Sequence, residues 1–271
     1  MVGRAWPRHG HRGRPFNSVV SLYARAVVVF VNPDPTFGHQ ADRVFKLYQL
    51  AADIRDKYAA GETDTRRVSL NNVAMVANAG TATLRLLDWA KKGGEETLTK
   101  ALGLAKPGYV NFVAEDLLRS SRLCLLVETQ FQIETAFRNI LAALGKFAPK
   151  LGFYNLAQEL LATASTPDAA RKLQVLNIAA LMRNSMHANG IHHGWKSQNT
   201  IETVNGAEFR FEHGQRIQCG SWFHIVTALT ASLEILDAIF NTPAVRAIAN
   251  IPDSYAEQKE AAKELSSRGD G

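Results

Sequence analysis

The chain has 271 residues, 46% of them hydrophobic and 21% charged, a soluble globular composition able to bury a substantial core as one large domain or two small ones. Its two cysteines, Cys124 and Cys219, exclude a disulfide framework and fit a reducing, cytoplasmic compartment, with Cys124 expected as a buried thiol in an apolar helical run. The net charge of +6 and isoelectric point near 9.4 do not by themselves indicate nucleic acid, because Arg4, Arg8, Arg12, Arg14 and Arg25 lie in a leader without an acidic residue. Without these five, 26 basic residues face 25 acidic ones.

That leader, residues 1–33, is rich in Gly and Pro among its arginines and histidines, and is expected to be disordered. The apolar run Val19 to Val31 is interrupted by Arg25 and is too short to span a bilayer. An Arg-rich, acid-free start also fits a transit peptide or a mis-assigned start codon. No later stretch reads as membrane-spanning, so a non-membrane protein is expected.

Residues 34–110 form an N-terminal helical region. A helix from about Gln40 to Ala59 places Val44, Leu47, Leu50, Ala51 and Ile54 on one side and ends at Gly61. A second, from near Ser69 to Ala90, carries Val73, Val76, Ala77, Leu84, Leu87 and Trp89, softens at Gly80 and halts at Lys91-Lys92-Gly93-Gly94. The two suit an antiparallel hairpin that either precedes the main bundle or packs onto it.

After Pro107-Gly108, Asn111 to Leu144 reads as one very long helix or two abutting ones, capped by Asn111 or Asp116. Its stripe Leu117, Ser121, Cys124, Val127, Phe131, Glu134, Arg138 and Leu141 turns polar at Glu134 and Arg138. Either these two form an intrahelical pair of little energetic worth, or Glu134 crosses to an arginine on another helix and fixes its guanidinium. Gly152 to Ala164 then gives a short helix with Leu156, Leu160 and Leu161 inward.

The next helix carries the densest chemistry. Thr166 is positioned to cap it, Pro167 suits its first turn and Gly190 stops it. Leu173, Leu176, Ala180, Arg183 and His187 recur at spacings of three and four, so a leucine stripe becomes cationic at its end. One reading is plain helix chemistry, in which cations near a C-terminus favour the negative dipole. The other is a polar site, in which arginine grips a phosphate bidentately and histidine moves a proton near neutral pH.

At Arg183-Asn184 followed by His187, the chain resembles the HEPN superfamily, helical domains that include metal-independent endoribonucleases and non-catalytic members. Three residues separate Arg183 from His187, a shorter interval than the family signature, and His192 lies beyond it. The resemblance covers roughly residues 111–245. It implies Arg183, His187 and Asn184 as catalytic residues, supported by Glu134, Arg138 and His192, acting on RNA with neither metal nor cofactor. It also implies a homodimer and a toxin or defence-type RNase with a neutralising protein partner. The alternatives are a non-catalytic interaction or dimerisation module and, less economically, a metal site of His187, His192 and His193 joined by His213 or Cys219.

Beyond the motif, Thr200–Val204 and Ala207–Glu212 read as strands around the hairpin turn Asn205-Gly206, and Gln215 to Gln218 as a third short strand. Ser221 caps an apolar helix from Trp222 to Phe240, and residues 246–271 form a charged tail. The expected fold is therefore all-α, a helical bundle with a β-hairpin (200–218) inserted between its last two core helices. No glycine-rich phosphate loop, paired-cysteine metal motif or nucleophilic serine elbow is present.

Overall fold

The structure is a computed structural model that describes residues 36–58, 61–104, 109–146 and 150–253. The basic leader, its Val19–Val31 run and residues 254–271 of the tail lie outside the described residues. Within them the fold is an all-α bundle with one inserted β-hairpin, as the periodicities predict.

α1 (Phe37–Asp56) starts earlier than the hydrophobic pattern alone indicates, because Thr36 caps it, its side chain accepting from the His39 amide at 3.3 Å. α2 (Thr65–Lys92) likewise starts at a cap, Asp64, whose carboxylate accepts from the Arg66 amide at 2.8 Å. The two run antiparallel, Gly38 bonding Asp88 at one end and Arg55 bonding Asn71 at the other. Val44, Leu47, Ala51 and Ile54 of α1 and Leu70, Val73, Ala77 and Leu84 of α2 join the same core as the later helices. Gly80 does not break α2; it is buried, and a Cβ there would meet Val44 of α1 at 3.5 Å, an ordinary contact. Trp89 does not share the buried face and is 60% exposed. The Gly93-Gly94 stop is followed at once by a short helix, α3 (Gly94–Ala101).

α4 (Val110–Ala143) is one unbroken helix of 34 residues, about 51 Å long at 1.5 Å per residue. It has no side-chain cap, since Tyr109 and not Asn111 or Asp116 occupies the cap position. Asn72 meets Gln132, and Thr65 meets Asn139, so α4 runs antiparallel to α2. Among its buried residues are Leu125, Leu126, Ile133, Ala136, Phe137, Ile140 and Leu141, a broad surface that packs against several helices at once. A single narrow stripe therefore misplaces the face. Phe131 is exposed, Cys124 is exposed rather than a buried thiol, and Glu134 and Arg138 sit at the edge of the contact.

α5 (Phe153–Thr163) stacks Phe153 on Phe137 of α4, ring centroids 5.9 Å apart. α6 (Ala169–His187) begins after Asp168, whose φ of 52° puts it in the left-handed region. Thr166 does not cap the helix; it is buried in the turn before it. α6 buries Val175, Leu176, Ile178, Ala179, Ala180, Met182 and Ser185, so the polar residues flank the apolar face instead of replacing it.

β1 (Thr200–Val204) and β2 (Ala207–Phe211) pair antiparallel, from Thr200 opposite Phe211 to Val204 opposite Ala207. Asn205 and Gly206 both have positive φ, 48° and 79°, as the tight primed turn requires. Ala207, Phe209 and Phe211 point inward while Glu208 and Arg210 face out. Gln215 to Gln218 is not a third strand of this sheet. Its backbone serves the motif loop instead, with the His192 amide donating to Gln215 O at 2.9 Å and the Ile217 amide to Gly190 O at 2.9 Å.

α7 (Trp222–Phe240) starts at Ser221, as predicted, and buries Ile225, Leu229, Leu233, Leu236 and Phe240. By length and apolarity it would qualify as membrane-spanning, contrary to the expectation that no later stretch does, but 61% of its apolar window is buried inside the protein. Its far end is tied to α1, since Tyr58 Oη donates to Asp237 at 2.7 Å and Lys57 pairs with the same carboxylate at 2.7 Å. Burial and that bond raise the Tyr58 phenol above its ordinary range. After the short α8 (Pro243–Arg246), the chain returns to the start of α2. There buried Asp64 accepts from Arg66 at 2.6 Å and from the Ile251 amide at 3.0 Å.

Candidate functional site

The last two turns of α6 and the loop after them bring the motif together. Arg183 lies about a turn before the helix end, its side chain 23% exposed, beside an equally exposed Glu134 from α4. Glu134 makes both of the contacts the sequence left open. Its Oε1 is 2.6 Å from Arg138 Nη2, one turn along α4, and its Oε2 is 3.8 Å from Arg183 Nη1. Arg138 also donates to the Leu151 carbonyl at 2.8 Å, which holds the carboxylate's first partner in place. The Arg183 contact is longer and looser, so it orients more than it stabilises. Arg183 Nε and Nη2 further donate to Asn184 Oδ1, each at 3.4 Å.

His187 is the last helical residue and is exposed, one turn beyond Arg183. Asn184 is exposed between them.

His192 is a different kind of histidine. It is buried, with Nδ1 3.4 Å from Ser185 Oγ and its ring 5.5 Å from that of Phe211. Ser185 Oγ in turn donates to Leu181 O at 2.8 Å. Burial lowers the His192 pKa, a hydrogen bond with the Gln198 backbone opposes this, and His213 and His193 lower it further. His192 is therefore a ring whose neutral form burial favours, and it pins the loop onto α6. Gly194 closes the same knot: a Cβ on it would lie 2.1 Å from Gln198 O and 3.0 Å from His192 Nε2.

The histidines do not converge as ligands. His187 is exposed, His192 is buried, and His193 and His213 meet edge to face at 6.2 Å. Among the described residues no three His, Cys, Asp or Glu side chains gather as a metal site. Cys219 is buried elsewhere, its thiol pushed up to about 12 by burial.

The structure thus groups Arg183, Asn184 and His187 at the end of α6 with Glu134 and Arg138 behind them, and places His192 beneath as a support. Sequence reasoning missed Ser185, whose role depends on a loop folding back over its own helix. It also missed the part played by residues 214–217, whose backbone holds that loop, the Gly214 amide donating to His192 O at 2.8 Å. No protein-family model, no curated protein and no solved structure matches the chain.

Proposed function

We propose that the chain is a metal-independent endoribonuclease of the kind its HEPN-like motif implies, with Arg183, Asn184 and His187 as the residues that meet RNA. The observation that carries this reading is the Glu134 carboxylate held between Arg138 and Arg183, which presents a guanidinium beside an exposed imidazole one turn away. Arg183 would bind the scissile phosphate and stabilise the charge that develops on it. His187 would take the proton from the ribose 2′-hydroxyl as its oxygen attacks phosphorus, and water would supply the proton to the 5′-oxygen as its bond to phosphorus breaks. Asn184 would orient the phosphate or the guanidinium. A homodimer, a toxin or defence role and a neutralising partner protein belong to the same proposal.

One observation favours a second reading. Arg183 is already engaged by Glu134 and Asn184 within its own chain, which suits a non-catalytic interaction module equally well. Incubation of the purified chain with single-stranded RNA in excess chelator separates the two. The ribonuclease reading predicts fragments ending in a 2′,3′-cyclic phosphate, whereas intact RNA supports the interaction module.

A further inference from the structure

The inner face of the β-hairpin is held to the bundle by imidazoles as well as by apolar packing. Phe209 and Phe211, both fully buried, are successive inward residues of β2, and each meets a histidine from a different part of the chain. The His192 ring, from the loop after α6, lies 5.5 Å from Phe211. The His224 ring, from the first turn of α7, stands edge to face with Phe209 at 5.4 Å. Each imidazole also has a serine at Nδ1 and a backbone partner. His192 Nδ1 is 3.4 Å from Ser185 Oγ on α6, and the ring bonds the Gln198 backbone. His224 Nδ1 is 2.8 Å from Ser221 Oγ, the cap of α7, and its ring bonds the Glu208 backbone on β2 itself. Two rings thus tie one strand to α6 and α7.

The surroundings of both rings disfavour a proton. α6 faces His192 with Ser185 and β2 faces it with Phe211, while the titratable neighbours that act on it, His193 and His213, lower its pKa further. β2 faces His224 with Phe209, the outward Glu208 and Arg210 side chains pairing with each other at 3.2 Å. Toward the start of α7, α4 brings Arg122, which donates to the Gly220 carbonyl at 3.5 Å, and α1 brings Arg43, 4.8 Å from the centre of the Phe223 ring. Both are cations. The Cys219 thiol, pushed up to about 12 by burial, stays neutral beside them. No carboxylate acts on either ring, and a proton on His224 would also oppose the positive end of the α7 dipole.

We infer that the β-hairpin is an acid-released clamp, in which protonation of His192 and His224 together loosens the inner face of β2 from α6 and α7. This goes beyond the ribonuclease reading and stands without it, because neither ring belongs to Arg183, Asn184 and His187. The hairpin is bounded by turns, with Lys196 and Ser197 at φ 50° and 60° before β1 and Gly214 at 72° after β2, so it opens without unwinding a helix. Once open, both histidines titrate at the ordinary value of about 6.5, whereas burial lowers both in the closed form. Opening is therefore least above about pH 6.5 and grows as pH falls toward the folded-state values. Two buried phenylalanines, and Arg171 bonded to Glu202 and to the Thr203 carbonyl of β1, oppose release. Acid accordingly raises a minor open population and does not empty the closed one.

The test is hydrogen exchange of the full chain, corrected for the intrinsic pH dependence of amide exchange, with α2 as the internal reference. From about pH 7.5 to about pH 5 the opening equilibrium of the β1 and β2 amides rises about tenfold or more, while that of residues 73–84 rises less. His192→Gln and His224→Gln each keep part of the rise, and the double variant abolishes it. Cys219 gives a second readout that leaves both histidines in place, because its buried thiol donates to the Arg210 carbonyl of β2 at 3.9 Å. In a Cys124→Ser background, a pyridyl disulfide, which attacks thiols even in acid, labels Cys219 faster at about pH 5 than at about pH 7.5, each rate taken relative to the unfolded chain at the same pH. A hairpin whose opening ignores pH, or rises no more than that of α2, overturns the inference. So does a double variant with the parent's full response, or Cys219 labelling that acid does not accelerate. RNA cleavage is read in none of these, so failure of the ribonuclease reading leaves the result standing.

Discussion

Glu134 on α4 faces Arg183 on α6 across 3.8 Å while its other oxygen holds Arg138 at 2.6 Å. One carboxylate shared by two guanidiniums joins the longest helix to the motif helix. Glu134→Gln keeps the shape and removes the charge that aligns Arg183. Because the pair is partly solvated, it contributes only about 0–1 kcal/mol, and melting should move by no more than about 2–4 °C. RNA cleavage, in contrast, should fall by about tenfold or more as Arg183 loses its orientation. Paired melting and cleavage assays check this, and a large drop in melting with unchanged cleavage would assign Glu134 to the scaffold.

His192 supplies a pH dependence whose direction follows from its burial. Its pKa is lowered in the folded chain, so the unfolded chain takes up a proton first as pH falls through the ordinary histidine value of about 6.5. The stability tied to a neutral His192 is then fully present above about pH 6.5 and is lost as pH falls from there toward the folded-state pKa. Denaturant titrations at a series of pH values should show stability falling on acidification, with a shallower slope for His192→Gln. The slope should not vanish in that variant, since burial lowers His224 as well. An unchanged slope would show that His192 is not what links the loop to protons.

Gly194 tests the same loop by sterics. A methyl group there would lie 2.1 Å from the Gln198 carbonyl, a contact that only backbone movement relieves. Gly194→Ala should therefore cost about 1–3 kcal/mol and loosen amide protection across the loop. Hydrogen exchange of residues 188–198 reads this directly; protection equal to the parent would contradict it.

The fold was legible wherever local chemistry and periodicity agreed. Asn205-Gly206 specified its hairpin because both residues must take positive φ, and Ser221 marked the start of α7 as a cap ahead of an apolar run. α4 was legible as a helix but not in its face, because a helix packed against several others has no single stripe. Thr166 looked like a cap from its neighbours, yet the turn buries it and Asp168 takes the cap position. The helical spacing of Arg183, Asn184 and His187 was legible in the sequence, whereas the Ser185–His192 contact depends on the path of a loop.

The buried pair at the start of α2 predicts the largest loss of stability. Asp64 is fully buried and accepts from Arg66 and from the Ile251 amide, so Asp64→Ala strands a guanidinium that is 6% exposed. Removing one partner of such a pair should cost about 3–5 kcal/mol. Chemical denaturation measures it, and a loss below about 1 kcal/mol would mean that the pair does not clamp the start of α2 to the segment around Ile251.

Arg183 and His187 are proposed to cleave RNA, and single-turnover cleavage by His187→Ala in excess chelator tests this most directly. His187 is exposed at a helix end, so its loss should leave the melting temperature near that of the parent. Cleavage should slow by about a hundredfold or more, as when a general acid or base is removed, with Arg183→Ala at least as slow. Cleavage by His187→Ala at the parent's rate, with the same cyclic-phosphate ends, would contradict it.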